Sequence, residues 1–110
     1  MKRGAYLGEF ELIVLLAVVR LGPDAYGMRI WKEIEDQTGR SAVLGAVYAA
    51  LERLEKKGCV TSWMGDSTPE RGGRAKRHFK VSRKGMVAIE RSRMILTKMW
   101  SGLDPLLGKL

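Results

Sequence analysis

Cysteine and histidine each occur once, at Cys59 and His78. A single cysteine excludes an intrachain disulfide and suits a reducing compartment, so a cytoplasmic location is expected. A lone histidine, with no cysteine or second histidine at ligand spacing, gives no reason to expect a metal. Nucleophile–base pairs, paired carboxylates and phosphate-cradling glycine loops are also missing, so neither enzymatic activity nor a cofactor is expected. Acidic residues are the minority, 12 against 20 Lys and Arg, for a formal net charge of +8. That excess favours a polyanionic partner, and does not by itself separate nucleic acid from an anionic membrane surface. Long hydrophobic runs are lacking too. Leu12–Val19 is apolar but far short of the roughly 20 residues that cross a bilayer. Lys2 and Arg3 ahead of it imitate the start of a secretory signal. Glu9 and Glu11 interrupt the approach, however, and no small-residue cleavage site follows. The run therefore reads as a core helix, and no membrane partner is expected.

No internal repeat or long linker divides the 110 residues, and 45% of them are hydrophobic. This is enough for one compact domain with a modest core, a size at which dimerisation often adds stability.

Helical periodicity predicts a first helix over Glu9–Leu21, apolar almost all round and so enclosed by other helices. Gly22-Pro23-Asp24 ends it. A second helix is predicted over Tyr26–Gln37, with Ile30, Trp31 and Ile34 on one side and Gly39 after its end. The third runs from Val43 to Lys57, before Gly58. Leu44, Val47, Tyr48, Leu51 and Leu54 share its core face, while Gly45, Ala46, Ala49, Arg53 and Lys56 share the outer one. That outer face is smooth at its start and cationic at its end. Val43 cannot cap the helix with its side chain, and Ser41 is the nearest residue able to do so.

Val60–Met64 and Lys76–Val81 read as two strands. Phe79 and Val81 are expected on the core side of the second, His78 and Lys80 on the wet side. Between the strands, Asp66-Ser67-Thr68-Pro69 and Gly72-Gly73 supply turn chemistry. Arg71, Arg74, Lys76, Arg77, Lys80, Arg83 and Lys84 form a compact polycation around this hairpin, opposed only by Asp66 and Glu70. Such a surface is suited to phosphate. Arg71-Gly72-Gly73-Arg74 occurs once and between strands, so a hairpin tip fits it better than an RNA-binding arginine–glycine repeat.

Ser82 is placed to cap a last helix reaching about Leu103, stopped by Pro105. Met86, Ile89, Leu96, Trp100 and Leu103 form an apolar stripe along it, widened by Ala88, Ile95 and Met99. A helix so broadly apolar needs another surface, most simply a second copy of the chain. The expected fold is therefore mainly α with a small β-hairpin: helix, helix, helix, strand, wing, strand, helix. Residues 1–82 form a winged helix-turn-helix and residues 83–110 a dimerisation helix, together one compact unit.

In that order, Leu7-Gly8-Glu9, Tyr26-Gly27, Gly45-Ala46-Val47-Tyr48, Leu51-Glu52-Arg53-Leu54-Glu55-Lys56-Lys57-Gly58 and Arg71-Gly72-Gly73-Arg74 resemble the PadR family of winged-helix transcriptional regulators. The likeness extends from about Gly8 to Leu107 and is to the small subfamily with one C-terminal helix. It implies a homodimeric DNA-binding repressor, with the third helix in the major groove and the wing along the backbone or minor groove. Family members often release DNA on binding a small aromatic or cationic compound, and some hold flat aromatic drugs between tryptophans of the paired last helices. Trp100 stands where such a tryptophan is expected.

The DNA-binding surface expected is Tyr26, Gly45, Ala46, Tyr48, Ala49, Arg53, Arg71, Gly72, Gly73, Arg74 and Lys76, acting on an inverted-repeat operator. The dimer and ligand surface expected is Met86, Ile89, Leu96, Met99, Trp100 and Leu103. Each has a plainer reading. Tyr48 serves equally as a core-edge aromatic and Arg53 as a surface arginine paired with Glu52 or Glu55, while Cys59, a candidate redox sensor, reads better as a small buried hydrophobe. Two other functions fit the same composition: a small-molecule sensor with an aromatic pore between subunits, and a winged-helix module for protein–protein assembly.

Overall fold

The structure, a computed structural model, describes residues 6–67 and 75–108. Helix α1 (Glu9–Leu21) leads through a 3-10 turn at Gly22–Asp24 to α2 (Gly27–Thr38) and α3 (Leu44–Lys56). Strands β1 (Val60–Ser67) and β2 (Ala75–Val81) form an antiparallel hairpin. Helix α4 (Arg83–Trp100) and a short α5 (Asp104–Leu107) follow.

Leu15 from α1, Ile30 and Ile34 from α2, and Leu51 and Leu54 from α3 are fully buried. Burying each contributes roughly 1.5–3 kcal/mol. Phe79 from β2 and Ala88 from α4 close the same core. The first helix is not enclosed as its composition suggested. Val14, Leu15, Ala17 and Val18 face inward, whereas Leu16 and Val19 are exposed on the far side of the single chain.

The third helix also differs in detail. Ala50, rather than Tyr48, joins Val47, Leu51 and Leu54 inside, and Tyr48 is exposed. Position 48 lies a third of a turn from Val47, at the edge of the buried arc, where the gap beside α2 admits a large ring. Val43 is the N-cap itself and no side chain caps the helix, so Ser41 does not take that role. At the other end the chain turns through Gly58 at φ +79°, and the amides of Gly58 and Cys59 donate to the carbonyls of Glu55 and Leu54. This glycine-terminated turn sends the chain directly into β1.

The hairpin pairs Val60 with Val81 through Met64 with Arg77, and its register shifts between Met64 and Ser67. His78 is not on a wet face. Its ring stacks on Trp63, meets Tyr26 edge-on, and covers Gly65. The cause is a third contact of β2: Phe79 donates its amide to Ala25, and Tyr26 bridges to His78, drawing the start of α2 against the strand.

Ser82 caps α4 as expected, its hydroxyl accepting from the Gly85 amide at 3.0 Å. The end is different. The helix stops at Trp100, the chain reverses through Gly102 at φ +84°, and Leu103 lies outside it. Pro105 opens α5 instead of stopping α4, since proline's fixed φ and missing amide suit a first helical turn.

Candidate nucleic-acid interface

Helix α3 presents Gly45, Ala46 and Ala49 to solvent. Without long side chains there, its backbone can approach another surface closely. Tyr48 stands beside them, 43% exposed, with its ring and hydroxyl resting on the backbone of Gly27 in the first turn of α2. The phenol oxygen thus lies at the positive end of a helix dipole. Tyr26 is buried immediately before it and holds the N-cap of α2 against His78.

Arg53 lies at the far end of the smooth flank, its side chain 54% exposed. It pairs with neither Glu52 nor Glu55. Its Nε donates across the fold to Glu11 Oε2 at 3.2 Å. Lys57 Nζ donates to Glu11 Oε1 at 2.8 Å and to the Tyr6 carbonyl at 3.1 Å. The Gly8 amide also donates to Glu11 Oε1, at 2.9 Å. Burial alone would raise the Glu11 pKa, but the hydrogen bonds from Lys57, Gly8 and Arg53 outweigh it and hold the carboxyl below its ordinary range. The contact with Gly8 is a local one, the N3 carboxylate reaching back to the N-cap amide of α1, but the carboxylate's partners at positions 53 and 57 are brought to it only by the fold.

The hairpin is tied to the same helix. Arg77 donates to Ser62 Oγ at 3.0 Å and to Glu55 Oε1 at 3.2 Å, while Ser62 donates to Glu55 Oε2 at 2.8 Å. Lys76 is half-buried at the start of β2, toward the loop end of the hairpin, beside the exposed Arg77. Arg71, Gly72, Gly73 and Arg74, at the expected wing tip, lie outside the described residues.

The second expected surface is open in the single chain. Met86, Leu96, Met99, Trp100 and Leu103 are all exposed, with Met99 at 69% and Trp100 at 61%. Ile89 instead packs partly against the core. Between α1 and α4 a cleft of about 590 Å³ is lined by Tyr6, Leu7, Leu12, Ile95, Leu96 and Trp100, with Glu9, Arg91 and Ser92 as its polar members. The Arg91 guanidinium lies 5.8 Å from the centre of the Tyr6 ring. Cys59 is buried, and burial pushes its thiol up despite Lys84 and Lys57 nearby. Among the described residues no group of His, Cys, Asp or Glu could hold a metal, and no helix is long and apolar enough to cross a membrane.

The profile of the PadR-like family of transcriptional regulators matches residues 15–91. An uncharacterized protein from Lysinibacillus sphaericus is 29% identical over 96 residues, covering 86% of this chain and 80% of that one. A PadR family transcription regulator from Clostridium difficile superposes with a TM-score of 0.72 at 21% identity, over 91% of this chain and 99% of that one. A PadR-like regulator from Bacillus cereus gives 0.70 at 15% identity, over 89% and 90%. The winged-helix DNA-binding protein F93 from STIV gives 0.68 at 18% identity, over 89% and 98%.

Proposed function

The chain belongs to the PadR-like family of transcriptional regulators, which are not enzymes, and from that premise we propose that it is a homodimeric, sequence-specific repressor released from DNA by a small aromatic ligand. The observation that carries the DNA reading is the α3 surface. Gly45, Ala46 and Ala49 give a smooth exposed face, flanked by the Tyr48 hydroxyl on one side and Arg53 on the other. A helix of that profile fits a major groove, with hydroxyl and guanidinium at the phosphate rims. Lys76 and the cations of residues 71–74 extend the contact along the backbone.

With little hydrogen-bonding capacity on the α3 face, specificity rests on apolar contact with thymine methyls and on groove shape. The exposed α4 face supports pairing with a second copy, and two-fold symmetry sets inverted half-sites about 10 bp apart, or a multiple of that. The cleft beside Trp100 supports a planar aromatic ligand. In that cleft Arg91 stands against Glu9, and Arg93 and Lys98 share the helix, so neutral or anionic aromatics are expected to bind at least as well as cations.

The test is selection from random DNA, followed by mobility shift of the selected duplex with and without planar aromatics. An inverted repeat bound with a steep salt dependence, and released by an aromatic, is the expected result. Failure to bind any duplex would leave protein–protein assembly as the better reading. Ligand-induced tryptophan quenching without DNA binding would favour a plain sensor.

A further inference from the structure

We infer that Glu11, on a helix that does not face the proposed groove, is a positioning residue for DNA contact and acts through Arg53. This rests on the DNA-binding reading above.

Glu11 is 6% exposed, yet it is ionised and takes hydrogen bonds from three directions. Its two cationic donors come from the same end of α3 and are used differently. Lys57 is consumed: its ammonium serves Glu11 and the Tyr6 carbonyl together, and its side chain is only 34% exposed. Arg53 is held by one corner. Its Nε bonds Glu11 Oε2, while its two terminal nitrogens make no hydrogen bond among the described residues.

A guanidinium is a rigid planar fork, so fixing Nε fixes where the terminal pair points. Ala46, Ala49 and Arg53 follow one another at helical spacing along one flank of α3. Ala46 and Ala49 let a duplex close on the helix, which brings a phosphate rim toward the next side chain along. Arg53 then meets that phosphate with its free fork already oriented, and loses less rotamer freedom than an unrestrained arginine.

The arrangement reverses the sign expected from charge alone. Removing a carboxylate from a DNA-binding protein ordinarily strengthens binding. Here Glu11→Gln weakens it: glutamine has one neutral acceptor oxygen in place of two charged ones, which cannot serve Lys57, Gly8 and Arg53 together, and the loosened aim of Arg53 outweighs the lost repulsion.

The experiment measures the selected duplex against salt concentration for Glu11→Gln, Arg53→Ala, the double variant, Arg53→Lys and Lys57→Ala. Glu11→Gln and Arg53→Ala should each weaken binding roughly three- to tenfold, the scale of one net hydrogen bond. Each should also lower the salt slope by about 1, and the double variant should be no worse than Arg53→Ala. Lys57→Ala should lower the thermal midpoint and leave the slope unchanged, which separates aiming Arg53 from holding α1 to α3. Arg53→Lys should not restore binding, since lysine has no Nε for Glu11 to hold. Equal or tighter binding by Glu11→Gln overturns the inference, as does additivity in the double variant. If Glu11→Gln does not fold, full affinity in Arg53→Lys overturns it instead. Absence of DNA binding by the wild-type protein would sink the function itself, whereas wild-type binding with an unchanged slope in Arg53→Ala sinks only the role of Glu11.

Discussion

The hydroxyl end of Tyr48 lies directly against the backbone of Gly27, filling the space a β-carbon at residue 27 would occupy. This joins α3 to the first turn of α2 without a hydrogen bond between their backbones. Substituting Gly27 with Ala must displace the phenol. The obstacle is the tip of a half-exposed side chain, so the ring can swing into solvent. Gly27→Ala is therefore expected to melt near the wild-type temperature but to lose as much DNA affinity as Tyr48→Ala. Paired thermal melts and mobility shifts check this, and an intact affinity would remove Tyr48 from the contact surface.

Gly85 gives the opposite case. A β-carbon there would meet the Cys59 carbonyl and the Val81 side chain. The carbonyl is backbone, and it already accepts the Ser82 amide at 2.9 Å, at the junction of hairpin and α4. It cannot swing away. Gly85→Ala is expected to cost about 1–3 kcal/mol of stability, the range of overpacked cores. A urea midpoint equal to wild type would show that α4 can shift on the hairpin.

The order of elements was legible in the sequence because periodicity and glycine punctuation act locally. Gly39 and Gly58 end their helices with positive φ, and Ser82 starts α4. What escaped is long-range. His78 alternates correctly along β2 yet is covered, because Tyr26 and Trp63, distant in sequence, converge on it. Tyr48 fits the apolar period of α3 but sits at the boundary of the buried arc, where pattern alone cannot decide between core and surface. Arg53 has two acidic neighbours in its own helix and pairs with neither, because Glu11 offers a buried partner from α1. Pro105 looked like a terminator, whereas Ser101-Gly102 had already ended α4.

Glu11 also sets a pH dependence of stability. Its folded pKa is lowered by Lys57, Gly8 and Arg53 against the upward pull of burial. The ionised form is thus favoured by folding, and its contribution is complete above the unfolded carboxyl value of about 4.3. It is lost as pH falls through the lower folded value. Urea melts between pH 7 and pH 3 should show wild type losing stability more steeply in acid than Glu11→Gln, the two curves converging at the low end. Parallel curves would mean that Glu11 titrates alike in the folded and unfolded chains.

The α4 face offers the sharpest separation of interface from core. Ala88 is buried within the chain at 3% exposure, whereas Leu96 on the same helix is 42% exposed. Leu96 borders the α1–α4 cleft, yet enough of it is open in the monomer for a glutamate there to turn into water, whereas the proposed dimer covers that open side with an apolar surface. Leu96→Glu is expected to keep a native circular dichroism spectrum while its mass by light scattering falls to that of one chain, because the dimer would have to bury an unpaired charge. Ala88→Glu should instead unfold the protein. A monomer carries one recognition helix, so Leu96→Glu should bind an inverted repeat no better than a single half-site, having lost the gain from linking two contacts. A dimeric mass for Leu96→Glu would move the interface off this part of α4, and would remove the reason for placing two copies of Trp100 around one ligand.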